Sequence, residues 1–380
     1  MSGDLLWRLF AQFVEADTSV RSGETRVEAR DERLRAFMTG AAAPALEQLG
    51  ASTTLDEANN LLARFGTETG RELLFVCYPA THHGNEMEEP FRPRERDRLW
   101  VGLGASQGKG GLAAVCAAVE RLREQGIDPA GRIAVAVSSE GSSSHASSEA
   151  LYRSFERLPA GAVLVVGTGN RISLGNRGRV DVVVRVEGRA THSSAVAAGD
   201  NPIPVVGEVL RRLEAVPAGS TSHPQLGSPS LVSYRLQCGP VAPHTIPAWC
   251  ELVLDRRILP GEEPDAAAAE IEAALEGLPV TVTRTATMLP ALVEPDATVV
   301  AALQTGAQEA IGRPLELIYR RDTFDAGYPC SLGVPAVMCG PSTSDFGGHG
   351  ILGEDAVDPA ALREAAAVFA AAAASVRLTG

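Results

Sequence analysis

Arg179-Val-Asp-Val-Val-Val-Arg-Val186 opens the stretch on which the fold turns. The β-branched run from Val180 to Val186 reads as a strand. A helix over Pro202–Val216 follows, then strands over Ser230–Cys238 and Trp249–Ile258, a helix over Asp265–Leu275 and a strand over Val280–Thr287. That order is the β-α-β-β-α-β split motif of ferredoxin-like domains. The chain around it has another rhythm. Two helices fill Asp4 to about Gly50, and strands at Leu73–Cys77, Arg132–Val137 and Ala162–Val166 alternate with helices at Leu112–Glu124 and His145–Phe155. After the motif come a helix at Ala297–Ile311, strands at Leu315–Tyr319 and Pro335–Cys339, and a helix at Pro359–Val376. The expected fold class is α/β: a mainly parallel sheet with helices on both faces, interrupted by a small inserted domain. The larger domain is expected over residues 1–178 and 289–380, the insert over 179–288. A ligand cleft is expected between them, at the carboxyl ends of the larger domain's strands.

Composition narrows the partners. The 380 residues carry 34 Lys plus Arg against 47 Asp plus Glu, a net charge of −13, with 45% hydrophobic and 21% charged residues. No basic face or Lys/Arg run offers itself to a phosphate backbone or an anionic membrane, so neither nucleic acid nor membrane is an expected partner. The start, Met1-Ser-Gly-Asp, lacks the basic and apolar regions of a secretory signal, and Ala360–Val376 is too weakly apolar to span a bilayer. Six scattered cysteines without a CxxC pair argue against a disulfide framework and a thiolate zinc knuckle, and for a reducing cytoplasm. Lys109 is the sole lysine, a bias that GC-rich coding accounts for elsewhere in the chain.

Polar clusters follow the strand ends: Cys77-Tyr-Pro-Ala-Thr-His82-His83, Gly102-Leu-Gly-Ala-Ser-Gln107-Gly-Lys109-Gly-Gly111, Ser138-Ser-Glu140-Gly-Ser-Ser-Ser-His145, Gly167-Thr168-Gly-Asn170, Arg189-Ala-Thr-His192 and Phe346-Gly-Gly-His349. The glycine-rich segment opens a helix but lacks phosphate-loop spacing, because Gly110 follows Lys109.

Taken in order, Pro90-Phe91, Arg98-Leu-Trp-Val-Gly-Leu-Gly-Ala-Ser-Gln-Gly-Lys-Gly-Gly-Leu-Ala-Ala, the lid's His192-Ser-Ser and Asp255-Arg-Arg-Ile-Leu-Pro-Gly-Glu resemble a known family. It is the di-zinc aminoacylase, acetylornithine deacetylase and succinyl-diaminopimelate desuccinylase family, and the resemblance covers nearly the whole chain. It implies hydrolysis of an amide beside an amino-acid carboxylate, two zinc ions bridged by an aspartate and a water, a glutamate base, and a homodimer formed through the lid. The metal positions depart from that pattern. Cys77 stands for a ligand histidine and Pro79 for its orienting aspartate, Gln107 for the bridging aspartate, Ser139 for the base and Thr168 for an acidic ligand. Glu140 and His349 are kept; in a register slipped by one, Glu140 is the base and Gly141 the lost ligand. Charge that would offset two dications is missing, so no two-zinc hydrolysis and no firmly held cofactor are expected. A single zinc on Glu140, His349 and Cys77 is the metal alternative.

The substrate side matches better. The resemblance makes His192 the lid histidine that polarises the scissile carbonyl, acting on the partner subunit's site, and Arg257 the arginine that pairs with a substrate carboxylate. His244 replaces a usual asparagine, and Asn201, Gln107, Thr168 and Asn170 are read as further substrate contacts. Two routes could replace the metal: Cys77 as a nucleophile favoured by His82, His83 or Lys109, or proton transfers by Glu140, His192 and His349. Asp322 and Asp325 read as loop and capping residues. The expected function is that of a divergent deacylase-like enzyme acting on an amide or carbonyl of a small amino-acid, N-acyl amino-acid or dipeptide-like substrate. A non-catalytic binding member of the fold and a one-zinc hydrolase are the alternatives.

Overall fold

The computed structural model describes residues 5–21, 24, 27–28, 30–66, 72–82, 84, 87–106, 108–139, 145–216, 222–342 and 355–376. The chain divides into two compact units, one of Met1–Gly175, Ala291–Tyr319 and Asp325–Gly380, the other of Asn176–Pro290 with Arg320–Phe324. No helix among the described residues is long and apolar enough to cross a membrane.

The larger unit is built on a nine-stranded sheet. Leu73–Cys77, Ile133–Val137 and Gly161–Val165 are buried along their whole length, as strands covered on both faces must be. Leu73–Cys77 lies between the other two, parallel to both, and Ala336–Met338 extends the parallel set beyond Gly161–Val165. The sheet is mixed rather than mainly parallel, however. Ser52–Leu55 and Leu61–Arg64 pair antiparallel at one side, and Ile172–Asn176 runs antiparallel to Ala336–Met338. The first two are four-residue strands joined by a turn in which the Asp56 carboxylate accepts from the Ala58 and Asn60 amides. Runs that short carry little periodicity. Helices Lys109–Glu124, Thr298–Ile311 and Pro359–Ser375 pack together over the sheet, where Phe75 meets Phe369 at a ring separation of 5.0 Å.

Register brings Cys77 level with Val137 and Val165. The residues just beyond these carboxyl ends are therefore neighbours, and the Ser138 amide donates to the Cys77 carbonyl at 2.8 Å. The helix expected from Leu112 begins at Lys109, because glycines admit a close backbone approach there. A Cβ on Gly108 would stand 1.8 Å from the Tyr78 carbonyl oxygen, and one on Gly110 2.1 Å from that of Ala105.

In the smaller unit, strands Ser230–Gly239, Trp249–Ile258, Gly178–Glu187 and Val280–Met288 lie side by side in that order, all antiparallel. Helices Ile203–Glu214 and Pro264–Ala274 supply Val209, Leu213 and Ile271 to a core with Val180, Val182, Val184, Leu252 and Leu254. Alternation along Gly178–Glu187 sends these valines inward and leaves Arg179, Asp181 and Arg185 less buried. The same register sets Cys238 opposite Cys250, and the two are joined in a disulfide, contrary to the expectation of unpaired cysteines. Twelve residues of separation gave no sign of this pairing, because sequence spacing does not fix cross-strand register.

Candidate functional site

Cys77 ends its strand fully buried in the main apolar core, while His82 is exposed. Burial, and next the neighbouring Cys116, push the Cys77 thiol well above the usual thiol range. A thiol in that setting stays protonated, as structural cysteines do, and lacks the electropositive surroundings a nucleophile needs.

The hydroxyls beyond the other strand ends are committed to the fold. Ser139 Oγ donates to the Ala58 carbonyl at 2.6 Å, and the Ser139 amide donates to Asn60 Oδ1 at 3.0 Å. Asn60, almost fully buried, also donates to Asp56 Oδ2 and the Ser147 carbonyl and accepts from Ser147 Oγ. Thr168 Oγ1 donates to the Arg171 carbonyl at 2.6 Å and accepts from the Gly340 amide at 3.1 Å. Asn170 turns its amide to the Ala361 carbonyl at 2.9 Å. These bonds explain why Thr168 and Asn170 sit where they do without any ligand. Gln107, Glu140, His349 and His83 lie outside the described residues.

Two buried ionic features occupy the same unit. Asp355 accepts from the Gly104 amide at 2.7 Å and from both the amide and the hydroxyl of Ser106, fixing the glycine-rich turn. Lys109 is fully buried; its ammonium donates to the Ala16 carbonyl at 2.6 Å, and burial pulls it down from 10.5 to about 7 against the opposing pull of Asp17 and Asp355. The second feature is an ion pair between His145 Nδ1 and Asp325 Oδ1 at 2.8 Å, both side chains buried. Asp325 lies in the turn before Gly327–Ser331, as read, and its carboxylate is engaged by His145 and Ser148. The pair spans 180 residues of sequence, and no local pattern announces it.

In the smaller unit His192 and His244 are exposed, their ring centroids 6.1 Å apart across the short ladder that pairs His192 with Thr245. His192 Nδ1 is 2.8 Å from Ser194 Oγ. Asn201, also exposed, accepts from the Ile203 amide at the start of a helix. Arg257 is not an open fork: it grips Asp255 through two nitrogens at 2.7 Å each and donates a third to Thr323 Oγ1 at 2.7 Å. Arg177 was not singled out from the sequence, yet it and Arg321 both reach the Gly227 turn. A Cβ there would lie 3.0 Å from the Arg177 terminal nitrogen and 3.5 Å from the Arg321 guanidinium carbon. Burial first, then Arg321 and Arg257, lower the Arg177 pKa. Arg177 donates to the Leu226 carbonyl, and neither it nor Arg321 pairs with a carboxylate among the described residues.

The zinc site implied by the resemblance can be tested against these donors. At three of its positions stand a protonated buried thiol, Cys77, and two hydroxyls, Ser139 and Thr168, that donate to backbone carbonyls. Such uncharged, engaged groups do not fit a pair of dications. No cluster of three or more His, Cys, Asp or Glu suited to a metal occurs among the described residues.

A mixed α/β unit interrupted by a smaller antiparallel one is a two-unit α/β architecture. The profile of Peptidase family M20/M25/M40 matches residues 79–375, and the chain belongs to that family. Among curated proteins it is similar to the succinyl-diaminopimelate desuccinylase of Maricaulis maris, 30% identical over 186 residues that make up 45% of this chain and 47% of that protein. It is also similar to a putative succinyl-diaminopimelate desuccinylase of Mycobacterium tuberculosis, 31% identical over 183 residues, 47% of this chain and 49% of the other. The chain thus spans about half the length of these curated relatives. Human carnosine dipeptidase 1 superposes with a TM-score of 0.75 at 17% identity over 97% of both chains. The metallo-carboxypeptidase Sso-CP2 of Sulfolobus solfataricus gives 0.75 at 15% identity over 98% of both. At such identities the likeness is one of fold.

Proposed function

We propose that the chain is a hydrolase-type enzyme that takes a small N-acyl amino acid or dipeptide-like molecule by its carboxylate and acts on its amide without two-zinc chemistry. The observation that carries this reading is the convergence of Arg177 and Arg321 on Gly227, close enough to Arg257 for the three charges to oppose one another. Crowded guanidiniums without carboxylate partners favour an incoming anion. Arg257, already held by Asp255, contributes charge and its Thr323-bound nitrogen rather than a free grip. The N-succinyl compound in the relatives' names has the chemistry this basic cluster suits.

The smaller unit is proposed as a lid spanning about residues 179–288 and as a dimerising domain. Val232, Tyr234 and Leu236 are exposed on its outermost strand, Ser230–Gly239, which supports pairing with a second copy. His192 and His244 are the imidazoles this unit offers to substrate, His192 in the partner's site. A non-catalytic binding role is the second reading, favoured by the engaged hydroxyls of Ser139 and Thr168.

Calorimetric titration with N-succinyl and N-acetyl amino acids and their carboxamides tests the proposal. The free acids should bind, and Arg177→Ala and Arg321→Ala should each weaken binding about ten-fold, the effect of losing one charge-assisted contact. Equal affinity for the carboxamides sinks the carboxylate reading. Two zinc ions per chain, measured on protein purified without added metal, sink the metal clause, and binding without turnover selects the second reading.

A further inference from the structure

We propose that a cavity on the larger unit is a binding site for a small zwitterion, a free amino acid with an aromatic side chain. The cavity encloses about 500 Å³, and Trp7, Glu95, Arg98, Trp100, Asp358 and Arg363 line it. That volume is within the range of small-molecule sites. None of the positions that the resemblance assigns to metal or substrate lines it.

The walls come from helix Leu5–Glu15, the hairpin of Arg94–Arg96 and Leu99–Val101, and the start of helix Pro359–Ser375, all in one unit. Register sets Glu95 opposite Trp100 and Trp100 opposite Val357, so these side chains share one face of the small sheet. Trp100 is almost fully buried, its ring 5.2 Å from that of Phe10 and edge-on to Trp7 at 4.8 Å. Trp7 stays partly exposed. The aromatic wall is therefore packed in place from behind, and the Trp7 ring is the part of it left for a ligand.

Four charged groups, two of each sign, surround this wall. Asp358 accepts from the Ala360 amide at 2.7 Å as the helix cap, and the Arg363 guanidinium lies over the Trp100 ring at 5.7 Å. Glu95 and Arg98 are placed differently. Neither side chain is ion-paired or hydrogen-bonded to a described residue, although both line the one cavity. Arg98 is also held there at a cost. Asp97 and Arg98 make the two-residue turn of the hairpin with φ of 52° and 67°. Left-handed backbone at both centres is the type I′ turn, whose second position favours glycine. An arginine at that position carries backbone strain of the kind that persists at ligand clamps. Glycine would relieve the strain and bring no charge to the cavity.

An open guanidinium and an open carboxylate beside an aromatic face complement a molecule that carries a carboxylate, an ammonium and a ring. Arg98 takes the carboxylate, Glu95 the ammonium, and Trp7 stacks on the ring. A simple anion would meet Glu95 and Asp358 as well as the arginines, and a simple cation the reverse, so the balanced charge selects a zwitterion over both.

The test uses the full chain with Trp249→Phe, which removes the third tryptophan, in the smaller unit, so that emission reports on Trp7 and Trp100 alone. L-phenylalanine, titrated up to about 10 mM, should change that emission saturably. Glu95→Gln and Arg98→Gln should each weaken binding about ten-fold, the effect of losing one charge-assisted contact. L-phenylalaninamide, which lacks the carboxylate, and N-acetyl-L-phenylalanine, which lacks the ammonium, should each bind about ten-fold more weakly. No saturable change with L-phenylalanine overturns the proposal, as does equal affinity for either analogue or unchanged binding in either charge variant. Should Trp249→Phe not fold, calorimetry on the native sequence with the same ligands and charge variants decides. The site stands apart from the basic cluster at Gly227: N-acetyl-L-phenylalanine held by that cluster is lost in Arg177→Ala and indifferent to Arg98→Gln.

Discussion

Replacing Lys109 by methionine isolates the energetic cost of burying the chain's only lysine. In the folded protein the ammonium titrates at about 7 instead of 10.5. Below the folded pKa both states carry the charge, and the native state bears the whole cost of desolvating it. As pH rises from 7 towards 10.5, the folded amine is already neutral while the unfolded chain still binds the proton, so this residue's unfavourable contribution shrinks. Above the unfolded value both are neutral and the cost is gone. A shift from 10.5 to about 7 corresponds to ~5 kcal/mol at 1.36 kcal/mol per unit. Methionine keeps the length and apolar stem but loses the bond to the Ala16 carbonyl, which offsets about 1 to 3 kcal/mol of the gain. Urea unfolding of wild type and Lys109→Met between pH 6.5 and 10 gives the comparison. The variant should be the more stable at pH 6.5, and its advantage should fall by about 1 kcal/mol per unit across the window. Taking the difference cancels the buried cysteines and tyrosines, whose raised values act in the opposite sense. A difference independent of pH would show that Lys109 keeps an ordinary pKa and refute the reasoning.

Asn60→Ala should destabilise the larger unit by about 3 kcal/mol in urea, because it removes the acceptor of the Ser139 amide and of Ser147 Oγ and the donor to the Ser147 carbonyl from a buried network; a change under about 0.5 kcal/mol would mean that solvent reaches those groups. Cys77 should resist iodoacetamide in the native protein and react only on unfolding, with Cys77→Ser retaining at least half of any turnover found. Rapid native labelling of Cys77, followed by mass spectrometry, would restore its candidacy as nucleophile.

Much of the fold is written locally. Leu73–Cys77 and Trp249–Ile258 are strands with the limits read from the sequence, since a short apolar run before Pro79 and an apolar stretch beginning after Pro247 leave little choice. Ser52–Leu55 and Leu61–Arg64 escaped notice, being too short to show a period and stabilised by a turn and a sheet edge rather than by their own pattern. The candidate site was less legible than the fold. Cys77 is recognisable as a residue at a strand end, but only its packing against Cys116 and the core shows that the thiol is kept protonated. Arg257 was readable as a carboxylate partner, whereas Asp255, two residues away on the same strand face, takes its fork.

The sequence by itself determined the alternating α/β elements and the inserted β-α-β-β-α-β run, because periodicity is a property of short stretches. The tertiary structure alone decided which groups meet: His145 with Asp325, Arg177 with Arg321 at Gly227, Cys238 with Cys250, and Lys109 with the Ala16 carbonyl. Register and long-range packing set those encounters, and burial then fixes their charge states, since the energy of a charge depends on what surrounds it in space.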